Sequence, residues 1–129
     1  MILQVVAGFG CQRGCPAREL SALLDQVLDC SGLVRGQVVG ITSLDRKADE
    51  PGLLALARDL GVPFKTFSAP QLAALEGQLS HRSEISYAHT GCYGVAESSA
   101  LALAATTQLL VTRQTSQSAT VALAITNTL

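Results

Sequence analysis

Twice in its first half the chain runs from an apolar, strand-like stretch through a loop of glycines or charges into an amphipathic helix, and this alternation constrains the fold most. Residues 2–6 (Ile-Leu-Gln-Val-Val) lead into residues 8–14, where Gly8, Gly10 and Gly14 surround Cys11, Gln12 and Arg13. Residues 38–41 (Val-Val-Gly-Ile) lead into residues 45–52, with Asp45, Arg46, Lys47, Asp49 and Glu50 ahead of Pro51 and Gly52. In an open α/β sheet, successive parallel strands end at one edge, so such loops line a shared crevice there. Glycines let backbone amides approach a ligand, and a helix N-terminus adds partial positive charge. Arg13 and Lys47 add full charges. The crevice reads as a site for an anionic small molecule.

Helical periodicity supports the alternation. Leu20, Leu23, Leu24, Val27 and Leu28 recur at helical spacing after Pro16, and Gly32 ends the run. The second strand is expected at 37–42. Asp49 is expected to cap the next helix, with Glu50 and Pro51 in its first turn, Leu53, Leu56, Ala57 and Leu60 buried, and Gly61 as the stop. A short strand over 64–67 precedes a capping box from Ser68 to Gln71, which starts a helix through residue 75. Periodicity fades over 76–89. A third glycine loop, 90–94, opens an Ala- and Ser-rich helix over 95–106 that can lie close on a sheet. Residues 108–112 and 119–126 read as strands joined by a 113–118 hairpin loop. In the last strand Val121, Leu123 and Ile125 alternate with Ala122 and Ala124, so the bulky groups share one face. The expected architecture is an α/β three-layer sandwich: a mainly parallel five-stranded sheet, made mixed by the C-terminal hairpin.

Composition limits the function. At 129 residues and 48% hydrophobic, the chain is expected to be one domain, 1–129, burying about two-thirds of its unfolded surface. A net charge of −1, with no basic helical stripe, argues against nucleic acid as a partner. The N-terminus lacks the basic region and apolar core of a signal peptide, and the longest apolar runs fall far short of the ~20 residues of a membrane helix. The expected location is cytoplasmic, with no membrane partner. Cys11, Cys15, Cys30 and Cys92 are then expected to be reduced thiols. Cys11 and Cys15 have the spacing that opens a radical-type iron–sulfur motif, but Arg18 stands where the third ligand belongs, so neither metal nor cofactor is expected.

Each candidate site residue also has a plain structural role. Gly8, Gly10 and Gly14 are spaced one residue wider than the dinucleotide fingerprint, and no Walker lysine follows, so a nucleotide- or phosphate-binding module is the alternative reading. Asp49 and Glu50 suit a helix start, which leaves Asp45 and Lys47 for a ligand. Glu97 is either the N3 partner of its helix cap or a general acid/base. His89, beside Thr90 and Gly91, is a loop histidine that could donate a proton. Arg113, Thr115 and Ser118 belong either to a carboxylate-binding turn or to a polar hairpin. No order of residues suggests a hydrolytic triad.

Together these stretches resemble the family formed by CobE of aerobic cobalamin synthesis and the C-terminal domain of CbiG of the anaerobic pathway. The matching pieces are Val6 to Gly14, then Lys47-Ala48-Asp49-Glu50-Pro51-Gly52-Leu53 within 45–61, Thr90-Gly91 with Val95-Ala96-Glu97, and Thr120-Val121-Ala122. The block running from Lys47 to Leu53 is the most specific. The resemblance implies an α/β domain that binds precorrin or corrin intermediates, macrocycles edged with acetate and propionate groups. It would deliver them to another pathway enzyme or assist a step. Gly8, Gly10, Cys11, Gln12, Arg13, Gly14, Asp45, Lys47, Asp49, Glu50, Thr90, Gly91, Arg113, Thr115 and Ser118 would form the site, with Arg13, Lys47 and Arg113 clamping carboxylates. CbiG-type proteins carry an extra N-terminal domain and open a ring-A lactone. This chain starts at the first strand of the matching domain, so precorrin lactone hydrolysis is kept as an alternative. Arg113 stands where the family pattern has lysine, which preserves charge but argues against Schiff-base chemistry.

Overall fold

In the computed structural model, which describes residues 3–74, 94–105 and 109–126, strand alternation sorts side chains onto two unlike sheet faces. The five strands are β1 (Val5–Cys11), β2 (Val38–Leu44), β3 (Phe64–Phe67), β4 (Leu109–Thr115) and β5 (Ala119–Ile125), in the order β3-β2-β1-β5-β4. Parallel pairings join β1 to β2 and β2 to β3, while β5 is antiparallel to both its neighbours, β1 and β4. β5 alone therefore runs against the rest, the mixed but mainly parallel sheet that the pattern predicts.

One face carries Val5, Ala7 and Phe9 of β1 with Val121 and Leu123 of β5, and it packs on α1 (Ala17–Cys30) and α2 (Pro51–Leu60). The predicted stripe Leu20, Leu23, Leu24, Val27 and Leu28 is the buried face of α1. Each such side chain contributes on the order of 1.5–3 kcal/mol by leaving water. α2 ends at Gly61, where the Val62 amide bonds back to the Ala57 carbonyl at 3.1 Å. Ser68 and Gln71 form the expected reciprocal cap of α3 (Ala69–Ala73), with Gln71 Oε1 accepting the Ser68 amide at 2.8 Å.

The other face is nearly bare. Val6, Gly8 and Gly10 of β1 stand beside Ala124, Ala122 and Thr120 of β5, and α4 (Val95–Ala104) lies directly on these small groups. A Cβ on Gly8 would sit 2.0 Å from the Ala96 carbonyl oxygen, so only glycine permits this approach. The Ala- and Ser-rich sequence of α4 is the matching half of the contact; Ser98 and Ser99 turn their hydroxyls back onto the Gly94 and Ala96 carbonyls.

Among the boundaries that differ from the sequence expectations, four bear on the site. β1 runs on through Gly8 and Gly10, which read as loop residues; pairing with β2 and β5 at Gly8, and with β5 at Gly10, holds them extended. β2 continues to Leu44. α2 begins at Pro51 with Glu50 at its cap position, and neither Glu50 nor Asp49 caps it through a side chain. β4 runs to Thr115, leaving only residues 116–118 as the hairpin turn.

Candidate functional site

The C-terminal ends of β1, β2 and β4, the N-terminus of α4 and the β4–β5 turn enclose a cleft of about 340 Å³. Gly10, Cys11 and Gln12 form its floor, Lys47 one rim, and Gly94, Val95, Ala96 and Glu97 the first turn of α4. Arg113, Thr115 and residues 116–120 close the far side, and Ser43 and Leu44 extend the floor along β2.

The predicted residues divide between two places. Gly10, Cys11, Gln12, Lys47, Glu97, Arg113, Thr115 and Ser118 meet at this cleft, whereas Gly8, Arg13, Gly14, Asp45, Asp49 and Glu50 are not among its lining. His89, Thr90 and Gly91, with Cys92, lie outside the described residues.

Arg13, Gly14, Asp49 and Glu50 of the second group hold two loops together. Arg13 reaches Asp49 at 3.2 Å and donates to the Arg46 carbonyl at 3.1 Å. Gly14, at φ 79°, gives its amide to the buried Glu50 carboxylate at 3.1 Å. The Gln12 amide goes to the Ser118 carbonyl at 2.9 Å and the Cys15 amide to Gln12 at 3.1 Å. The Gln12 and Gly14 amides of the expected cradle are therefore engaged within the protein, a correction to the glycine-loop reading at those two positions. Gly52 completes the clamp: a Cβ there would meet the Cys15 carbonyl oxygen at 2.4 Å. The Lys47-to-Leu53 block thus consists mostly of residues that fasten α2 to the start of α1, with Lys47 alone of its charges facing the cleft.

The far wall has its own fastening. Glu19 of α1 accepts the Ser118 amide and hydroxyl, each at 2.7 Å, and the Ser116 hydroxyl. These bonds hold its carboxyl below the usual glutamate range, the Ser116 hydroxyl most of all. Nothing in local sequence marked Glu19, because its partners lie almost the whole chain away. Ser43, Leu44, Gly94, Val95, Ala96, Ala119 and Thr120 were also missed as lining residues; Gly94, directly before the small-residue helix, was the available signal, passed over for Gly91 three positions earlier.

Glu97 stands at the third position of its helix, whose cap residue, Gly94, has no side chain to cap with. Fully buried, it accepts the Arg113 amide at 2.8 Å. Burial pushes the Cys11 thiol up to about 11 and raises Cys15 as well, against the Ser118 hydroxyl that lowers it. Cys11 and Cys15 are thus neutral thiols at pH 7. Among the described residues no three metal-ligating side chains cluster, and no helix is long and apolar enough to cross a membrane. The cleft's lining brings Lys47, Arg113 and a helix N-terminus together with the carboxyl of Glu97, which is engaged by the Arg113 amide. The two cations and the helix end can hold an anion.

Comparison with known proteins bears on this geometry. Residues 5–124 match the family described as cobalamin synthesis G C-terminus. A protein called CobE from Sinorhizobium is 40% identical over 121 residues, covering 93% of this chain and 79% of that protein. The crystal structure of CobE, a protein from the cobalamin (vitamin B12) biosynthetic pathway, matches with a TM-score of 0.90 at 36% identity, over 97% of this chain and 92% of that one. The cobalt-precorrin-5A hydrolase of Salmonella typhimurium is 42% identical over 73 residues, 57% of this chain but only 21% of the hydrolase.

Proposed function

Because this chain belongs to the cobalamin synthesis G C-terminus family, a family of cobalamin biosynthesis, we propose that its cleft binds a precorrin or corrin intermediate by the carboxylate arms of the macrocycle. One observation carries the reading: Lys47, Arg113 and the N-terminus of α4 converge on a single cleft from three separate segments. Cations and a helix N-terminus favour a carboxylate in the same way, and a guanidinium can take it with two parallel hydrogen bonds. Thr115 and the amides of the first α4 turn supply further donors. Arg13, engaged with Asp49 and Arg46, belongs to the scaffold in this reading.

Size decides how the ligand sits. A cleft of about 340 Å³ is at the low end of the ~300–1,000 Å³ typical of small-molecule sites. It suits an acid-bearing edge of a macrocycle and leaves the rest of the ring outside. A ring held by one edge is available to a second protein, which favours delivery to another pathway enzyme. The match to the Salmonella hydrolase covers only 21% of that protein, so lactone hydrolysis is not assigned here.

The test is titration with cobyrinic acid, a corrin carrying free carboxylates, alongside its methyl ester. The acid should bind, more weakly as salt rises, because exposed charge pairs are screened. The ester should not compete, nor should ATP or NAD. Equal binding of acid and ester, or retention of a nucleotide in place of the corrin, would overturn the proposal.

A further inference from the structure

We propose that Glu97 is the positioning residue of this cleft: its buried carboxylate takes the backbone amide released by a break in β4, and so aims Arg113 at the ligand. The inference rests on the reading that Arg113 meets a carboxylate-bearing ligand.

The ladder supplies the first argument. β4 pairs Val111 with Leu123 and Gln114 with Val121, three steps along β4 against two along β5. One residue of β4 is therefore extra, and such a bulge interrupts the ladder locally and re-aims the side chains around it. The Arg113 amide goes to Glu97 Oε2 at 2.8 Å.

Alternation supplies the second. In an unbroken strand, residues two apart share a face. Arg113 would then share the face of Val111, which packs against the core built with α1 and α2. Arg113 instead lines the cleft beside the first turn of α4. A regular β4 would leave the cleft without one of its two cations.

The third argument concerns what holds the irregularity in place. Glu97 is 0% exposed, and taking a carboxylate out of water is unfavourable unless hydrogen bonds compensate. A neutral backbone pairing would satisfy the Arg113 amide without burying a charge. The Arg113 amide is one of the bonds that offset this burial, and it reaches Glu97 in the displaced geometry, where it points to α4 while Arg113 lines the cleft.

The experiment combines amide exchange with affinity. Glu97→Gln keeps a carbonyl acceptor for the amide, and Glu97→Ala removes it. By NMR, the Arg113 amide should exchange slowly in the parent and in Glu97→Gln, and roughly tenfold or more faster in Glu97→Ala as that local bond opens. Affinity for cobyrinic acid should fall roughly tenfold or more in both Glu97→Ala and Arg113→Ala, the range for a lost bond to a charged group, and stay near the parent's in Glu97→Gln. The Glu97→Ala/Arg113→Ala double variant should bind no worse than Arg113→Ala, since Glu97 acts through Arg113. A slowly exchanging Arg113 amide in Glu97→Ala, or losses that multiply in the double variant, would overturn the proposal. Should Glu97→Ala not fold, rapid Arg113 exchange in the parent would overturn it equally. Full affinity in Arg113→Ala with exchange behaving as described would remove the ligand reading, and the positioning role with it, while leaving the Glu97–Arg113 bond standing; the two failures are thereby told apart.

Discussion

The two regions that meet at the C-terminal edge of the sheet are built from opposite materials. On the α1–α2 side, residues 12–14 and 45–52 carry a high density of charge, and most of it is spent within the protein: Arg13 on Asp49 and Arg46, Glu50 on Gly14. On the α4 side, the first helical turn and the β4–β5 turn are mostly Gly, Val, Ala, Ser and Thr, with Gln117 and only two charged residues, Glu97 and Arg113, and these line the cleft. Charge in a loop is as readily a fastening as a binding group. Small residues, by contrast, let backbone amides and the end of a helix reach a ligand, and they leave little trace in a sequence read for charge.

If that division is right, damage on the two sides should separate stability from binding. The largest effect is expected at Gly8, where an added Cβ would meet backbone, the Ala96 oxygen at 2.0 Å. Gly8→Ala should lose about 3 kcal/mol in urea unfolding, the upper end of ordinary overpacking, and lose corrin affinity as α4 lifts from the sheet. A variant as stable as the parent would break the claim that α4 depends on this bare face. On the fastening side, Glu50→Ala should lose about 1–3 kcal/mol, because the Gly14 amide loses its buried acceptor, yet keep its affinity for cobyrinic acid. A loss of affinity larger than the loss of stability would place Glu50 in the site.

Acid sharpens the comparison further. The Glu19 carboxyl is depressed by the Ser116 and Ser118 bonds. A depressed folded-state value means that its stabilisation is fully present above the ordinary glutamate value of 4.5 and is lost as pH falls through the lower folded value. The melting temperature of Glu19→Gln should therefore decline less than the parent's between pH 5 and the acid limit, by about the contribution of one carboxylate. Parallel curves would show that Glu19 does not hold the hairpin. The smallest effect belongs to Asp49→Ala: with side chains 64% and 80% exposed, its pair with Arg13 should change stability by less than about 1 kcal/mol.

Much of the fold was legible because its signals were local. The stripe from Leu20 to Leu28, the Ser68–Gln71 cap, the alternation of Val121, Leu123 and Ile125 with alanines, and the mixed five-stranded sheet all follow from spacing alone. The errors share one cause. Gly8 and Gly10 look like turn residues until the helix that needs them is known, and that helix lies some ninety residues on in sequence, about the separation of Gly8 from Ala96. A similar distance hid Glu19 beneath the hairpin, whose Ser116 and Ser118 lie 97 and 99 residues away, whereas the bulge beside Arg113 shows only in the pairing of β4 with β5. Of the three cations expected to clamp carboxylates, Lys47 and Arg113 face the cleft, and Arg13 was claimed by a partner the sequence had assigned to helix capping.

Arg13 and Lys47 carry the division most directly, since both are cations in neighbouring loops and sequence treats them alike. The deciding measurement is the affinity of Lys47→Ala and Arg13→Ala for cobyrinic acid, compared at one salt concentration. Lys47→Ala should bind roughly tenfold or more weakly, the loss of a charge-assisted bond, while Arg13→Ala binds within about twofold of the parent. Full affinity in Lys47→Ala together with a large loss in Arg13→Ala would contradict the account.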